Sequence, residues 1–100
     1  MSQEVVRRMA FREWFGLTPA GAEILAVLYG ANGSALEPEA LAKAAGVSPR
    51  AIGYHLFAVR QALEQDGLEH VPSQGYRLSE PALDECRAAL RTIAEELRAQ

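Results

Sequence analysis

The stretch Gly46-Val47-Ser48-Pro49-Arg50-Ala51-Ile52-Gly53-Tyr54-His55-Leu56-Phe57-Ala58-Val59-Arg60-Gln61-Ala62-Leu63 decides how this chain folds. Glycine suits the position just past a helix end, Ser48 can cap the next helix, and Pro49 fits a first helical turn. Two helices are therefore expected to meet across a tight turn at residues 46–49. Beyond it Ile52, Leu56, Val59 and Leu63 follow steps of four, three and four, which at about 100° per residue form one buried stripe. Asp66-Gly67 supplies the stop, so the second helix is expected over Pro49 to about Gln65.

Upstream, Asn32-Gly33-Ser34 marks a turn, and Glu37-Pro38-Glu39 opens a helix running to about Ala45. Before that, Thr18 as N-cap and Pro19 at the first helical position begin a core helix through Ile24, Leu25, Val27 and Leu28 that ends near Gly30. Ser2 to Phe15, with Val5, Val6, Met9, Ala10 and Trp14 at loosely helical spacing, reads as a short amphipathic helix stopped by Gly16. Downstream, Leu68–Val71 and Tyr76–Leu78 are strand-like runs around Pro72-Ser73-Gln74-Gly75, a small hairpin. Ser79 then caps a last helix in which Leu83, Cys86, Leu90, Ile93 and Leu97 form a heptad-like seam of about two heptads. That seam suits a homodimer interface, and packing onto the domain's own N-terminal helix is the competing use. The expected fold is mainly α with a small β-hairpin. Its order is that of a winged helix-turn-helix (17–78) between an extra N-terminal helix (1–16) and an extra C-terminal one (79–100).

Composition sets the limits. At 100 residues and 49% apolar content there is material for one domain and one core. The apolar run Ile24 to Tyr29 is far short of the roughly 18 residues of a membrane span, and Arg7 and Arg8 interrupt the N-terminus before an apolar leader can form. The single cysteine, Cys86, has no internal disulfide partner, which fits a reducing, cytoplasmic setting. A formal net charge of −3 argues against non-specific adhesion to nucleic acid, so any phosphate binding depends on where the cations sit.

Several residues are more specific than this order of elements. Leu17-Thr18-Pro19 with Ile24-Leu25, Glu39-Ala40-Leu41, the set Arg50, Ile52, His55, Leu56, Val59, Arg60 and Leu63, and Gly75-Tyr76-Arg77-Leu78 resemble the OmpR/PhoB-type DNA-binding domain from Leu17 to Leu78. The resemblance implies that the 49–65 helix enters the major groove of duplex DNA and that the 68–78 wing touches flanking backbone. It does not extend to the flanks: no N-terminal sheet fits before Leu17, and no receiver domain accompanies the resemblance. Gly53, Ala58 and Ala62 stand where charged residues are common in that family, and Pro72-Ser73 replaces its Arg-Gly.

Opposite the buried stripe, the helical wheel places Arg50, Tyr54, Phe57 and Gln61, with His55 and Arg60 on the flanks. Arg50 suits a phosphate or guanine, Gln61 suits adenine, and Tyr54 and Phe57 suit thymine methyls or sugars. The plainer role for the two aromatics is packing against a flanking helix. The resemblance gives Arg60 and His55 phosphate contacts; an ion pair with Glu64 and an ordinary exposed imidazole are the alternatives. Arg77 is the wing's phosphate candidate, Tyr76 a wing packing residue, and Lys43 a solvated side chain with a possible backbone contact. His55 and His70 lack motif-spaced metal partners and no phosphate-cradling loop occurs, so neither a metal, a cofactor nor catalysis is expected. Within Leu17–Leu78, Lys43, Arg50, Arg60 and Arg77 face Glu23, Glu37, Glu39, Glu64, Asp66 and Glu69. That slightly acidic balance supports an alternative function, a winged helix that binds a protein partner, for instance in the transcription machinery, through its exposed aromatics.

Overall fold

The computed structural model describes residues 2–64 and 66–100. Among them the chain forms helices α1 (Gln3–Phe15), α2 (Pro19–Gly30), α3 (Pro38–Ala45), α4 (Ile52–Ala62) and α5 (Glu80–Arg98), with strands β1 (Leu68–Val71) and β2 (Gly75–Leu78) between α4 and α5. The fold is mainly helical with a small antiparallel hairpin, in the helix, helix, turn, helix, wing order read from the sequence. None of these helices is long and apolar enough to cross a membrane.

Helix starts follow the capping residues. The Ser2, Thr18 and Ser79 hydroxyls accept hydrogen bonds from the Val5, Gly21 and Ala82 amides at 3.3, 3.1 and 3.3 Å, and proline occupies the first turn of α2, α3 and α5. Gly46 closes α3 at φ 71°, where its own amide and that of Val47 reach back to Lys43 and Ala42 at 3.3 and 3.0 Å. A left-handed residue there satisfies the last carbonyls and turns the chain toward α4.

The boundaries of α4 differ from the expected 49–65. Ser48 caps a turn rather than the helix: its carbonyl accepts from Ala51 N–H at 3.0 Å and its hydroxyl from Arg50 N–H at 3.2 Å. The helix begins only at Ile52, with no side-chain cap, so Pro49 and Arg50 precede it. At the other end Leu63 is already extended (φ −84°, ψ 150°), and α4 stops at Ala62. Leu63 still reaches the core, only 3% exposed, and the expected boundary at Gln65 lies outside the described residues.

The core centres on α2, which packs against α1, α3, α4 and β2. Ile24, Leu25 and Leu28 of α2 are fully buried with Leu41 of α3 and Val59 of α4, and the rest of the α4 stripe, Ile52 and Leu56, joins them. Phe11 of α1 is likewise inaccessible and stacks edge-on against Tyr29 with ring centroids 5.8 Å apart, which fixes the N-terminal helix to the core.

The proposed dimer seam of α5 is part of this same core. Leu83, Cys86 and Ile93 are 1, 0 and 6% exposed within one protomer, and Leu90 and Leu97 pack partly buried against the cluster. α1 packs along α5, and Trp14 Nε1 donates to Glu85 at 3.4 Å. The apolar stripe is thus consumed intramolecularly, and α5 leaves Glu80, Asp84, Arg87, Arg91, Glu95 and Arg98 exposed. The seam's buried members Leu83, Cys86 and Ile93 thus take the competing use, packing within the protomer.

Strands β1 and β2 pair with Leu68 opposite Leu78, Glu69 opposite Arg77 and His70 opposite Tyr76. Leu36 adds a short third rung, exchanging two 2.8 Å backbone hydrogen bonds with Tyr76. Gly75 makes this possible: at φ +109° an added Cβ would stand 2.0 Å from the Leu36 carbonyl oxygen.

Candidate nucleic-acid interface

One face of α4 is open. Ile52, Leu56 and Val59 are buried, whereas Gly53, Tyr54, Phe57, Arg60 and Gln61 are all exposed, Tyr54, Phe57 and Gln61 opposite the buried stripe and Gly53 and Arg60 on the flank of that face. Tyr54 is 70% and Phe57 60% exposed, which excludes packing against a flanking helix as their role. Among the described residues they are the most exposed of the large apolar side chains, ahead of Val5 and Trp14 at about 40%. Gly53 adds to this face: nothing lies within 4 Å of where its Cβ would be, so the helix backbone is bare there. Helix α4 contains no acidic residue.

Arg50 is exposed in the turn just ahead of α4, and Arg60 is exposed toward the helix C-terminus. Among the described residues no ion pair engages Arg50, Arg60 or Lys43, so the alternative Arg60–Glu64 pair does not form. Lys43 is exposed in the last turn of α3.

The structure adds the surroundings of two candidates. His55 sits on the flank of α4, as the wheel places it, but is not an ordinary exposed imidazole. It is half-buried on the flank with Ala51, Ala58 and Ala62, its Nδ1 is sealed from solvent without a hydrogen-bond partner, and its ring meets Tyr54 edge-on at 5.4 Å. Arg77 is already engaged: its Nε donates to Glu69 Oε1 at 3.0 Å across the hairpin, both side chains roughly half exposed. A pair in that setting contributes about 0 to 1 kcal/mol, so a competing phosphate can displace Glu69, although the wing carries no net positive charge from the pair. Tyr76 is half-buried and packs on His70 with centroids 5.0 Å apart.

Sequence reasoning marked Gly53 as a departure from the family pattern and missed only the open space above it. It also missed an open groove of about 900 Å³ between α1, the start of α2 and the α3–α4 turn, walled by Val5, Met9, Pro19 and Val47 among others. Arg8, Arg12, Glu13 and Glu23 balance its charge, with Arg8 paired to Glu23 at 3.0 Å, so it favours neither an anionic nor a cationic ligand.

No family model matches this chain, and no curated protein or solved structure matches it.

Proposed function

We propose that this chain binds duplex DNA as a cytoplasmic transcriptional regulator, with α4 in the major groove and the hairpin against adjacent backbone. The observation that carries the reading is the open face of α4. It is the second helix of a tight helix-turn-helix, free of carboxylates, and it presents Tyr54, Phe57 and Gln61 between two arginines that form no ion pair among the described residues. Carboxylates would repel phosphate, and an α-helix of this kind fits the width of the major groove. The resemblance of Leu17–Leu78 to OmpR/PhoB-type domains supports the same docking. Arg50 and Arg60 hold phosphates or guanine at the two ends of the helix, Arg77 reaches backbone on leaving Glu69, and Tyr54, Phe57 and Gln61 meet base edges. So few cations per subunit give weak non-specific binding, and two copies raise the affinity only where they touch each other on adjacent half-sites.

The test is a fluorescence anisotropy titration of a random duplex pool, and of duplexes selected from it, at several salt concentrations. Salt-dependent binding whose slope falls by about one on Arg60→Ala supports the reading. Absence of salt-dependent binding to every duplex refutes it.

A second reading has its own support. Two largely exposed aromatics on a helix face, beside a wing whose arginine is neutralised by Glu69, also fit a protein partner's apolar pocket. Capture of a partner that is lost on Tyr54→Ala and Phe57→Ala, with no duplex binding, selects that reading.

A further inference from the structure

We infer that the base group read by α4 is the C5 methyl of a pyrimidine, carried by thymine or by 5-methylcytosine. This inference rests on the duplex-binding reading above and specifies what that site recognises.

The argument begins with what the open face can offer. Between Arg50 at one end and Arg60 at the other, its side chains are Tyr54, Phe57 and Gln61 around the bare Cα of Gly53. One amide is available for a bidentate hydrogen-bond pair with a base. The larger part of the face is two aromatic rings, 70 and 60% exposed.

Major-groove edges present N7 and O6 of guanine, N7 and N6 of adenine, N4 of cytosine and O4 of thymine, all polar. Pressing the Phe57 ring or the face of the Tyr54 ring on any of them removes water without supplying a replacement hydrogen bond, which is unfavourable; only the Tyr54 hydroxyl at the ring tip offers one. The C5 methyl is the one apolar group on those edges, and burying it against a ring gains hydrophobic free energy.

The bare backbone at Gly53 strengthens the match. Phe57 lies four residues on, just over one turn, on the same side of the helix, so a methyl entering above Gly53 meets Phe57, with Tyr54 nearer the centre of the face. A side chain at 53 would fill that space, which is open to at least 4 Å.

The experiment starts with a duplex selected by the wild-type chain from a random pool. That duplex is remade with every thymine replaced by deoxyuridine, and separately with every cytosine replaced by 5-methylcytosine. All three are titrated by anisotropy against wild type, Tyr54→Ala and Phe57→Ala; both substitutions are at exposed positions and leave the core intact. Binding about fourfold weaker for each contacted methyl removed identifies thymine, and a comparable gain on methylation identifies 5-methylcytosine. Either effect should shrink in at least one alanine variant. Equal wild-type affinity for all three duplexes, or discrimination unchanged in both variants, overturns the inference while duplex binding stands. Failure to select any duplex overturns the inference together with the reading beneath it.

Discussion

Ile93→Ala separates the two uses open to the α5 seam. Ile93 is 6% exposed inside the protomer, and the substitution removes three carbons from the core cluster it belongs to. At about 0.8 kcal/mol per carbon the transfer loss is about 2.4 kcal/mol, and the residual cavity brings the expected loss into the range of about 2 to 5 kcal/mol. Against a total of about 5 to 15 kcal/mol for a small domain, that is a large fraction. Each kcal/mol moves the midpoint of a domain this size by about 4 to 8 °C, so the transfer loss alone should shift thermal unfolding down by about 10 to 20 °C, and the cavity should lower it further. Circular dichroism melts at two protein concentrations, with sedimentation equilibrium alongside, supply the measurement. The expected result is a lower midpoint, no concentration dependence beyond that of wild type, and unchanged mass. A variant whose stability stays within about 0.5 kcal/mol of wild type while its mass falls from dimer to monomer would refute the intramolecular assignment of the seam.

Glu69→Gln releases Arg77 from its 3.0 Å partner, so duplex affinity in anisotropy titrations should rise with a steeper salt dependence, while stability changes by no more than about 1 kcal/mol. Unchanged affinity would remove Arg77 from the interface. Gly75→Ala places a Cβ against the Leu36 carbonyl at a left-handed φ, and should cost more than about 1 kcal/mol in urea unfolding, with loss of amide protection at Leu36 and Tyr76. Burial pushes the Cys86 thiol up to about 12, reinforced by neighbouring Glu85 and only partly offset by Arg87. Because its folded value lies above the ordinary 9, the stability Cys86 contributes is complete below pH 9 and declines as pH rises from 9 toward 12. A neutral-pH thiol reagent should therefore label it only at the rate of unfolding, and fast labelling of the folded chain would contradict this.

The parts of the fold legible in the sequence are those set by local chemistry. Thr18-Pro19, Glu37-Pro38, Gly46 and Ser79 mark helix ends because a hydroxyl, a ring-locked φ or a missing Cβ acts within four residues of its own position. The start of α4 was misplaced because Ser48-Pro49 serve a turn as well as a helix cap, and the bond that decides between them, Ala51 to Ser48, exists only once the chain is folded. Leu63 continues the buried stripe although its backbone has left the helix, so side-chain periodicity could not show the break. The seam of α5 has the same pattern whether it meets α1 or another chain, since an apolar stripe does not encode whose surface covers it. Leu36 is a single rung without any periodicity. Within the candidate site, the α4 wheel correctly opposed Tyr54, Phe57 and Gln61 to the core. The environments of His55 and Arg77 depend on neighbours, the half-buried alanine flank in one case and the Glu69–Arg77 register in the other.

The central claim is that α4 and the wing form the surface that meets duplex DNA. The most direct measurement is amide chemical-shift mapping of the isotope-labelled chain during titration with a duplex selected from a random pool. The account predicts shifts concentrated at Arg50 to Gln61 and around Glu69 and Arg77, with α5 beyond Glu85 unchanged. Shifts confined to α1 and α5, or no shifts at low salt with any duplex, would contradict it.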